Sequence, residues 1–364
     1  MNQLIIYGYG GLGVKFYNYI EAEGYKVISI FDRNKVDQIH NNIPVTNPED
    51  NLNKYKDIDI VITILNEYVD IDKVKEYLID LGYKNCYTIF QAIQKYNLDN
   101  FEHLFITHPK HMLNKHMSNN MNAARSLLSD EMSKSIFDAI LEFRKTFDYS
   151  KINDCYSNDM YLPECILSEV KNRKKINIVD CGACFGDLID LFKRNNIDIN
   201  KYYAFEPDDN NLKVLRGKVL DENIESCLLP MGVGDFNGEI GFNSGSGTGS
   251  AIDEASENKI MITKIDDVIL SNVSFVKMDI EGFENEAIRG MKDIILKHKP
   301  ILAISIYHKP FDFVNILLSL SQDIKSTTLE SIENSDLILS SMPYKNFHIR
   351  YHGNYGFEFV LYAY

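Results

Sequence analysis

The sequence predicts an α/β protein built from two doubly wound, mostly parallel β-sheets, the second of which ends in an antiparallel hairpin. In two stretches of the chain, short apolar runs alternate with helical patterns. Each stretch begins with a strand, a glycine-rich turn and a helix, and the C-terminal end carries two β-rich runs around a Gly-Asn-Tyr-Gly turn. The length of 364 residues suits two domains.

The first stretch, residues 1–95, is predicted to form the first domain. Its predicted strands are residues 4–7, 26–31 and 58–65, and its predicted helices are residues 13–23 and 72–81. Alternation of this kind implies right-handed crossovers and a parallel sheet covered on both faces.

Residues 96–154 are predicted to form a helical connector, because the strand pattern disappears there. Residues 129–147 place Ile136, Phe137 and Ile140 at helical spacing, which predicts an amphipathic helix. Four histidines lie upstream of it, but their spacing does not gather them on one helix face. A solvated polar stretch is therefore favoured over a metal site.

Residues 155–364 are predicted to form the second domain. Its predicted strands are residues 176–180, 201–206, 226–230, 275–279 and 301–307, followed by a hairpin of 347–352 and 357–364. A glycine- and serine-rich segment, 243–250, is expected to be an ordinary surface loop, with a lid over the site as the alternative.

Composition limits the partners and the compartment. Lys and Arg number 38 against 52 Asp and Glu, a net charge of −14, which disfavours nucleic acid as a partner. No apolar run reaches the ~20 residues that a membrane span needs. The six cysteines lack the spacing of a disulfide framework, so we expect reduced thiols and a cytoplasmic protein.

The first glycine turn has the parts of a dinucleotide-binding, Rossmann-like fingerprint. Gly8, Gly10 and Gly13 follow the opening strand, and Asp32 ends the next strand, where it can bind ribose hydroxyls. The alternative is a scaffold that has lost its ligand. Residues 8–13, 23–27 and 31–32 resemble the N-terminal nucleotide-sugar-binding domain of some sugar acyltransferases.

The second glycine turn predicts a different cofactor. Asp180 precedes Gly182, Ala183 and Gly186, and Glu206 lies at the tip of the neighbouring strand. Glu206 suits a bidentate hydrogen bond to two ribose hydroxyls, and the charge of Asp180 suits a cationic or amine-bearing ligand. The inferred cofactor is S-adenosyl-L-methionine.

Two further strand ends carry candidate catalytic residues. Asp279 and Glu281 follow one strand, and His308 follows the next, so Asp279 and His308 would flank the cofactor's methyl group. We expect His308 to act as general base and Asp279 to place the acceptor or the methionine amine. Glu281 is a candidate for holding the acceptor or a divalent cation, although no metal site is predicted.

From about Ser126 to the C-terminus, the chain resembles the FkbM family of S-adenosylmethionine-dependent methyltransferases. The matching pieces are residues 128–131, 143–144, 180–183, 205–207, 232–235, 277–282, 307–310 and 360–363. The resemblance implies a class I methyltransferase fold, hydroxyl acceptors and use in polysaccharide or secondary-metabolite tailoring. It also implies cofactor contacts from Asp180, Gly182, Glu206 and the Gly232-Val233 turn.

The sequence as a whole predicts an O-methyltransferase that acts on a sugar hydroxyl of a small-molecule or glycan acceptor. The N-terminal module is interpreted as a nucleotide-sugar carrier. Two rival hypotheses are an NAD(P)-dependent oxidoreductase that uses the first turn and a non-catalytic nucleotide-sugar-binding scaffold. Stabilisation by NAD but not by S-adenosylhomocysteine would favour the oxidoreductase.

Overall fold

The structure is a computed structural model that describes residues 3–36, 38–66, 69–113, 115–243, 251–252, 256–321 and 343–364. The chain divides into two compact units. The N-terminal unit comprises Met1–Asn114 with Leu141–Asn153, and the C-terminal unit comprises Lys115–Ile140 with Asp154–Tyr364. The predicted connector, 96–154, is thus shared between the units. The predicted loop or lid lies, apart from Asn243, outside the described residues.

The N-terminal unit is a six-stranded sheet with helices. Its strands are β1 (Gln3–Tyr7), β2 (Lys26–Phe31), β3 (Ile39–His40), β4 (Ile43–Thr46), β5 (Asp59–Ile62) and β6 (Cys86–Thr88). Its helices are α1 (Gly11–Ala22), α2 (Leu52–Tyr55), α3 (Ile71–Asp80) and α4 (Ile89–Tyr96). The strand order is β3-β4-β2-β1-β5-β6, parallel except for the antiparallel pair of β3 and β4.

The apolar runs of the N-terminal unit are buried as the pattern predicts. Ile5 on β1, Phe31 on β2 and Ile60 on β5 pack in one cluster with Leu78 of α3. Burial of both faces of the sheet is the main stabilising contribution in this unit.

Three helices follow: α5 (Lys115–Leu127), α6 (Glu131–Thr146) and α7 (Ser150–Asn153). The amphipathic helix predicted over 129–147 corresponds to α6. In the described part of the chain, no helix combines the length and apolar character needed to cross a membrane.

The C-terminal unit contains a seven-stranded sheet and a smaller four-stranded sheet. The strands are β7 (Ile176–Cys181), β8 (Ile199–Phe205), β9 (Ser226–Leu229), β10 (Gly232–Val233), β11 (Gly238–Asn243), β12 (Ala251–Ile252), β13 (Lys259–Thr263), β14 (Phe275–Met278), β15 (Ile301–Ser305), β16 (Phe347–Tyr351) and β17 (Phe359–Ala363). The helices are α8 (Glu164–Lys171), α9 (Asp187–Arg194), α10 (Asp209–Asp221), α11 (Ile265–Val268), α12 (Glu284–Arg289), α13 (Lys292–His298) and α14 (Asp312–Ser319).

The order of the large sheet is β16-β17-β15-β14-β7-β8-β9. Strands β7, β8, β9, β14 and β15 are parallel, whereas β17 runs antiparallel to both β15 and β16. The strand order reverses between β7 and β14, so a crevice opens beyond their carboxyl ends, where ligands bind in open α/β sheets. The predicted α/β class, with a second sheet that closes in an antiparallel hairpin, is confirmed.

Candidate active site

A cavity of about 750 Å³ lies at the carboxyl ends of β7, β8 and β14 in the C-terminal unit, a volume within the range of small-molecule sites. Residues from five segments line it: 158–161, 180–184, 205–207, 231–233 and 279–283. These segments include every predicted cofactor residue of the second turn except Gly186, together with Asp279 and Glu281.

The glycine turn after β7 allows the backbone to approach the end of β14 very closely. Gly182 has φ +73°, and a Cβ atom there would lie 2.0 Å from the carbonyl oxygen of Asp279. The N–H groups of Gly182 and Ala183 donate to the carbonyl oxygen of Phe205, at 3.0 and 3.2 Å. Only glycine fits at position 182, and the turn is anchored to the neighbouring strand.

Asp180, at the end of β7, is buried beneath this turn. The Tyr202 hydroxyl donates to its Oδ2 at 2.5 Å, and Lys277 Nζ lies 3.4 Å from its Oδ1. Lys277 also donates to the carbonyl oxygen of Gly182 at 2.5 Å. Burial by itself would lower the pKa of Lys277, but Asp180 and Asp279 raise it, so the ammonium stays charged. Asp180 is therefore already paired with a cation of the protein.

Glu206 lies at the end of β8 and is 4% exposed. Its Oε2 accepts a hydrogen bond from the Cys184 N–H and its Oε1 accepts one from the Asp208 N–H, both at 2.8 Å. Burial raises the pKa of Glu206. The Asn211 side chain also hydrogen-bonds to Glu206, so only part of the acceptor capacity of this carboxylate remains for a ligand in the cavity.

The Gly232-Val233 turn forms β10, which pairs with β13 and lines the same cavity. Phe205, Met231 and Ile260 add further apolar surface to the lining. This side of the cavity suits a flat apolar ring.

Three carboxylates surround the His308 imidazole at the ends of β14 and β15. Its Nε2 lies 3.4 Å from Asp279 Oδ1 and 3.8 Å from Glu281 Oε2, and its Nδ1 lies 2.9 Å from Glu284 Oε1. The Tyr161 hydroxyl donates to Asp279 Oδ2 at 2.8 Å. Because β14 and β15 are adjacent, the predicted juxtaposition of Asp279 and His308 is present.

The electrostatics of this cluster disagree with the predicted role of His308 as general base. Burial would lower its pKa, but the carboxylates of Glu284, Asp279 and Glu281 outweigh it and raise the pKa to about 10. The imidazole is therefore protonated near neutral pH and cannot accept a proton.

The carboxyl groups of Asp279 and Glu281 differ in their charge state. Burial would raise the pKa of Asp279, but Lys277 and His308 lower it, and the Tyr161 hydrogen bond adds to this effect. Burial raises the pKa of Glu281 to about 7, against the opposing charge of His308.

Sequence reasoning did not assign roles to Lys277, Tyr161 or Glu284. Glu284 belongs to an acidic run at the start of α12, a position where the helix dipole alone favours acids, so its spacing gave no sign of burial. Lys277 could have been found from the sequence, because a lysine inside an apolar strand is seldom buried without a partner of opposite charge.

The first glycine turn is built as its spacing predicts. Gly8 has φ +111°, and a Cβ at Gly13 would lie 1.9 Å from the Gly8 carbonyl oxygen. Gly10 is the N-cap of α1. Asp32 accepts hydrogen bonds from the N–H of Tyr9 at 2.7 Å and of Asn34 at 2.9 Å, so its carboxylate also shapes the turn.

The residues of the second site fall within a family match. The model described as "Methyltransferase FkbM domain" matches residues 180–349. The chain carries an FkbM methyltransferase domain. The model described as "PglD N-terminal domain" matches residues 3–69. Both matches confirm the family resemblances found in the sequence.

One solved structure supports the fold of the chain, and two further structures are less similar. A methyltransferase FkbM from Methylobacillus flagellatus KT has a TM-score of 0.73 and 21% identity, over 100% of this chain and 90% of that chain. A putative methyltransferase from Streptococcus mutans, in complex with SAH, has a TM-score of 0.32 and 14% identity, over 55% of this chain and 96% of that chain. An rRNA methylase from Streptococcus thermophilus has a TM-score of 0.31 and 16% identity, over 55% of this chain and 91% of that chain. No curated protein gives a significant match.

Proposed function

We propose that this methyltransferase moves the methyl group of S-adenosyl-L-methionine to a hydroxyl group of a sugar in polysaccharide or other glycan biosynthesis. One observation carries the proposal. A single cavity contains, on one side, the glycine turn and Glu206 and, on the other, the acids Asp279 and Glu281. Cofactor and acceptor can therefore meet at the strand-order switch point.

The first side of the cavity suits an adenosyl compound. The acceptor capacity that Glu206 retains beside its bonds to Cys184, Asp208 and Asn211 suits a ribose hydroxyl. The apolar surface of Phe205, Met231 and Val233 suits the adenine ring. Asp180 acts in this proposal through Lys277, which it holds against the Gly182 carbonyl, and not as a direct partner of the sulfonium.

The other side suits an acceptor hydroxyl next to a sulfonium. Asp279 and Glu281 line the cavity, and the negative charge of Asp279 favours the cationic cofactor before transfer. In the reaction the C–S bond of the sulfonium breaks while a C–O bond forms, and S-adenosylhomocysteine leaves. The hydroxyl proton passes to one of these two carboxylates. Protonated His308 fixes their positions.

The choice of a sugar acceptor in a glycan rests on the acceptors that the FkbM resemblance implies. The six cysteines are free thiols, which is consistent with the reducing conditions of the cytoplasm, where we place the reaction.

Mass spectrometry of glycans and sugar metabolites tests this proposal. We expect cells that make the protein to contain a product one CH₂ group heavier than its counterpart in cells without it. Cells that make Asp279→Asn should lack this product at equal protein level. A methylated product that forms equally with Asp279→Asn, or methylation only of nitrogen or carbon, would contradict the proposal.

For the N-terminal unit we propose a nucleotide-sugar carrier role. The supporting observation is the turn of Gly8, Gly10 and Gly13, which opens at the N-terminus of α1 beside Asp32. Calorimetry of the full chain with UDP-sugars tests it. We expect binding that Gly13→Ala abolishes, because the added Cβ meets the Gly8 carbonyl oxygen. Binding of NAD instead of UDP-sugars would favour the oxidoreductase alternative.

A further inference from the structure

Glu281 lies in a left-handed turn after β14, and the backbone on both sides of it is anchored. Its φ angle is +56°, and Gly282 after it has φ +96°. The N–H groups of Ile280 and Gly282 donate to the buried Glu284 Oε1 at 3.0 and 3.3 Å. A left-handed conformation is unfavourable for glutamate and persists only where the surroundings hold it. The turn therefore fixes Glu281 at the cavity, which its side chain lines.

The two carboxylates at this end of the cavity differ in the partners that they already have. The Asp279 carboxylate accepts a hydrogen bond from the Tyr161 hydroxyl at 2.8 Å and lies 3.4 Å from His308 Nε2. Within the described residues, the Glu281 carboxylate accepts no hydrogen bond, and it lies 3.8 Å from His308 Nε2. The Glu281 side chain is 25% exposed, so its oxygens remain available to a ligand in the cavity.

The other titratable groups around Glu281 cannot take a proton from a hydroxyl near neutral pH. His308 is protonated, with Glu284 Oε1 2.9 Å from its Nδ1. Lys277 is a charged ammonium beside Asp180. The Tyr161 hydroxyl keeps its own proton, because burial raises its pKa well above the usual value.

The charges that face Glu281 make it a stronger base than Asp279. Lys277 and Asp279 come from the end of β14, Glu284 from α12 and His308 from the end of β15. Burial raises the pKa of Glu281 to about 7, the two neighbouring acids add to the rise, and the two cations oppose it. The same two cations lower the pKa of Asp279. A base is most effective when its pKa lies near the working pH.

We propose that Glu281 is the general base of the methyl transfer, and that His308 and Glu284 are positioning residues that hold it at the cavity. This inference rests on the proposed function, because it requires an acceptor hydroxyl in the cavity. As the C–S bond breaks and the C–O bond forms, the hydroxyl proton passes to an oxygen of Glu281. The proton then leaves to water, which the partly exposed carboxyl group can reach.

The pH dependence of methyl transfer by the full chain tests this role. The probe is S-adenosyl-L-methionine labelled in its methyl group, with the glycan fraction of cells that lack the protein as acceptor. The wild-type rate should rise with pH and level off above about 7, as Glu281 loses its proton. Glu281→Gln cannot accept a proton, so kcat should fall by about 10²- to 10⁴-fold and the rising limb should disappear, with little change in KM for the methyl donor. Glu281→Asp retains a carboxylate and should keep the rising limb at a reduced rate.

Glu286→Gln is the matched control, because Glu286 lies on α12 outside the cavity lining and pairs with Arg289, 3.3 Å away. Its rate and its pH profile should match those of the wild type. Circular dichroism identifies variants that fail to fold.

Carbon-13 NMR of the full chain, labelled at the glutamate carboxyl groups, tests the proton acceptor without turnover. One carboxyl signal should titrate near pH 7. This signal should disappear in Glu281→Gln and remain in Glu286→Gln.

A rate in Glu281→Gln that follows the wild-type pH profile would overturn the assignment of the base. The absence of a glutamate signal that titrates near pH 7 and is lost in Glu281→Gln would also overturn it. If the wild type transfers no methyl group to the glycan fraction, the sugar acceptor of the proposed function fails, and the NMR titration still decides whether Glu281 accepts a proton.

Discussion

Gly182 is the residue on which the geometry of the second site depends most directly. Its positive φ angle and the 2.0 Å approach of a Cβ to the Asp279 carbonyl oxygen exclude any side chain. The obstacle is backbone, which cannot rotate away as a flexible side chain can. This contact also ties the turn after β7 to Asp279, whose side chain lines the cavity.

Gly182→Ala should therefore destabilise the protein by about 2–4 kcal/mol, from backbone strain and overpacking. Urea unfolding measures the change. Gly217→Ala is the matched control, because Gly217 lies within α10 with open space around it. Gly217→Ala should stabilise the protein by about 0.5–1 kcal/mol, which is the difference in helix propensity between alanine and glycine. Equal effects of the two substitutions would refute the close-approach argument.

The sequence predicted the residues of the site better than their charge states. The positions of Asp279, Glu281 and His308 followed from strand ends, since parallel strands bring their carboxyl ends to one edge. The pKa of His308 did not follow, because it depends on Glu284. Glu284 lies at the start of α12 and not at a strand end, and only tertiary packing buries it. The pairing of Asp180 with Lys277 depends on strand register in the same way.

At the scale of elements, the start of α6 protects the edge strand β16. Ser129 Oγ accepts from the Phe347 N–H at 2.9 Å, and Ser133 Oγ accepts from the Ile349 N–H at 3.0 Å. Asp130 lies between them, with Arg350 Nη2 and His348 Nδ1 each 2.7 Å from its Oδ2. The helix start thus satisfies backbone groups that an uncovered edge would present to another strand.

Asp130→Asn should reduce stability mainly above the usual pKa range of aspartate. Burial would raise the pKa of Asp130, but Arg350, Ser133 and His348 hold it well below that range. A depressed carboxyl pKa contributes stability at higher pH and loses it as pH falls through about 4 and below. We expect a loss of about 1–2 kcal/mol at pH 7, discounted because the carboxylate is 32% exposed, and a much smaller loss near pH 3.

Urea unfolding at both pH values checks this expectation. Asp138→Asn is the control, since Asp138 and its partner Arg125 are 51% and 40% exposed and a pair this exposed should contribute little to stability. An effect of Asp130→Asn that is equally large at pH 3 and pH 7 would show that charge is not its cause.

The long strands could be predicted from the sequence, whereas the two-residue strands could not. The apolar runs of β2, β7 and β15 are long enough for their pattern to be unambiguous. The two-residue strands β3, β10 and β12 are too short for a periodicity and are defined by their pairing with β4, β13 and β11. The position of β17 between β15 and β16 likewise depends on tertiary pairing, although the hairpin itself was predicted from its turn.

At the scale of the whole molecule, the two glycine turns belong to different compact units. They also belong to different family matches, residues 3–69 for the first turn and 180–349 for the second. A ligand of one turn is therefore expected to respond to substitutions in its own unit. In the proposed function Glu206 binds the ribose of the methyl donor, because both its oxygens are oriented by backbone N–H groups.

Isothermal titration calorimetry of the full chain with S-adenosylhomocysteine is the most direct test of the central claim. We predict one site per chain, with affinity reduced at least about tenfold in Glu206→Gln, where one oxygen of the carboxylate becomes a donor. Glu225→Gln, at an exposed residue that pairs with Lys201, should bind as the wild type does. No binding to the wild type, or equal binding to Glu206→Gln, would contradict the account.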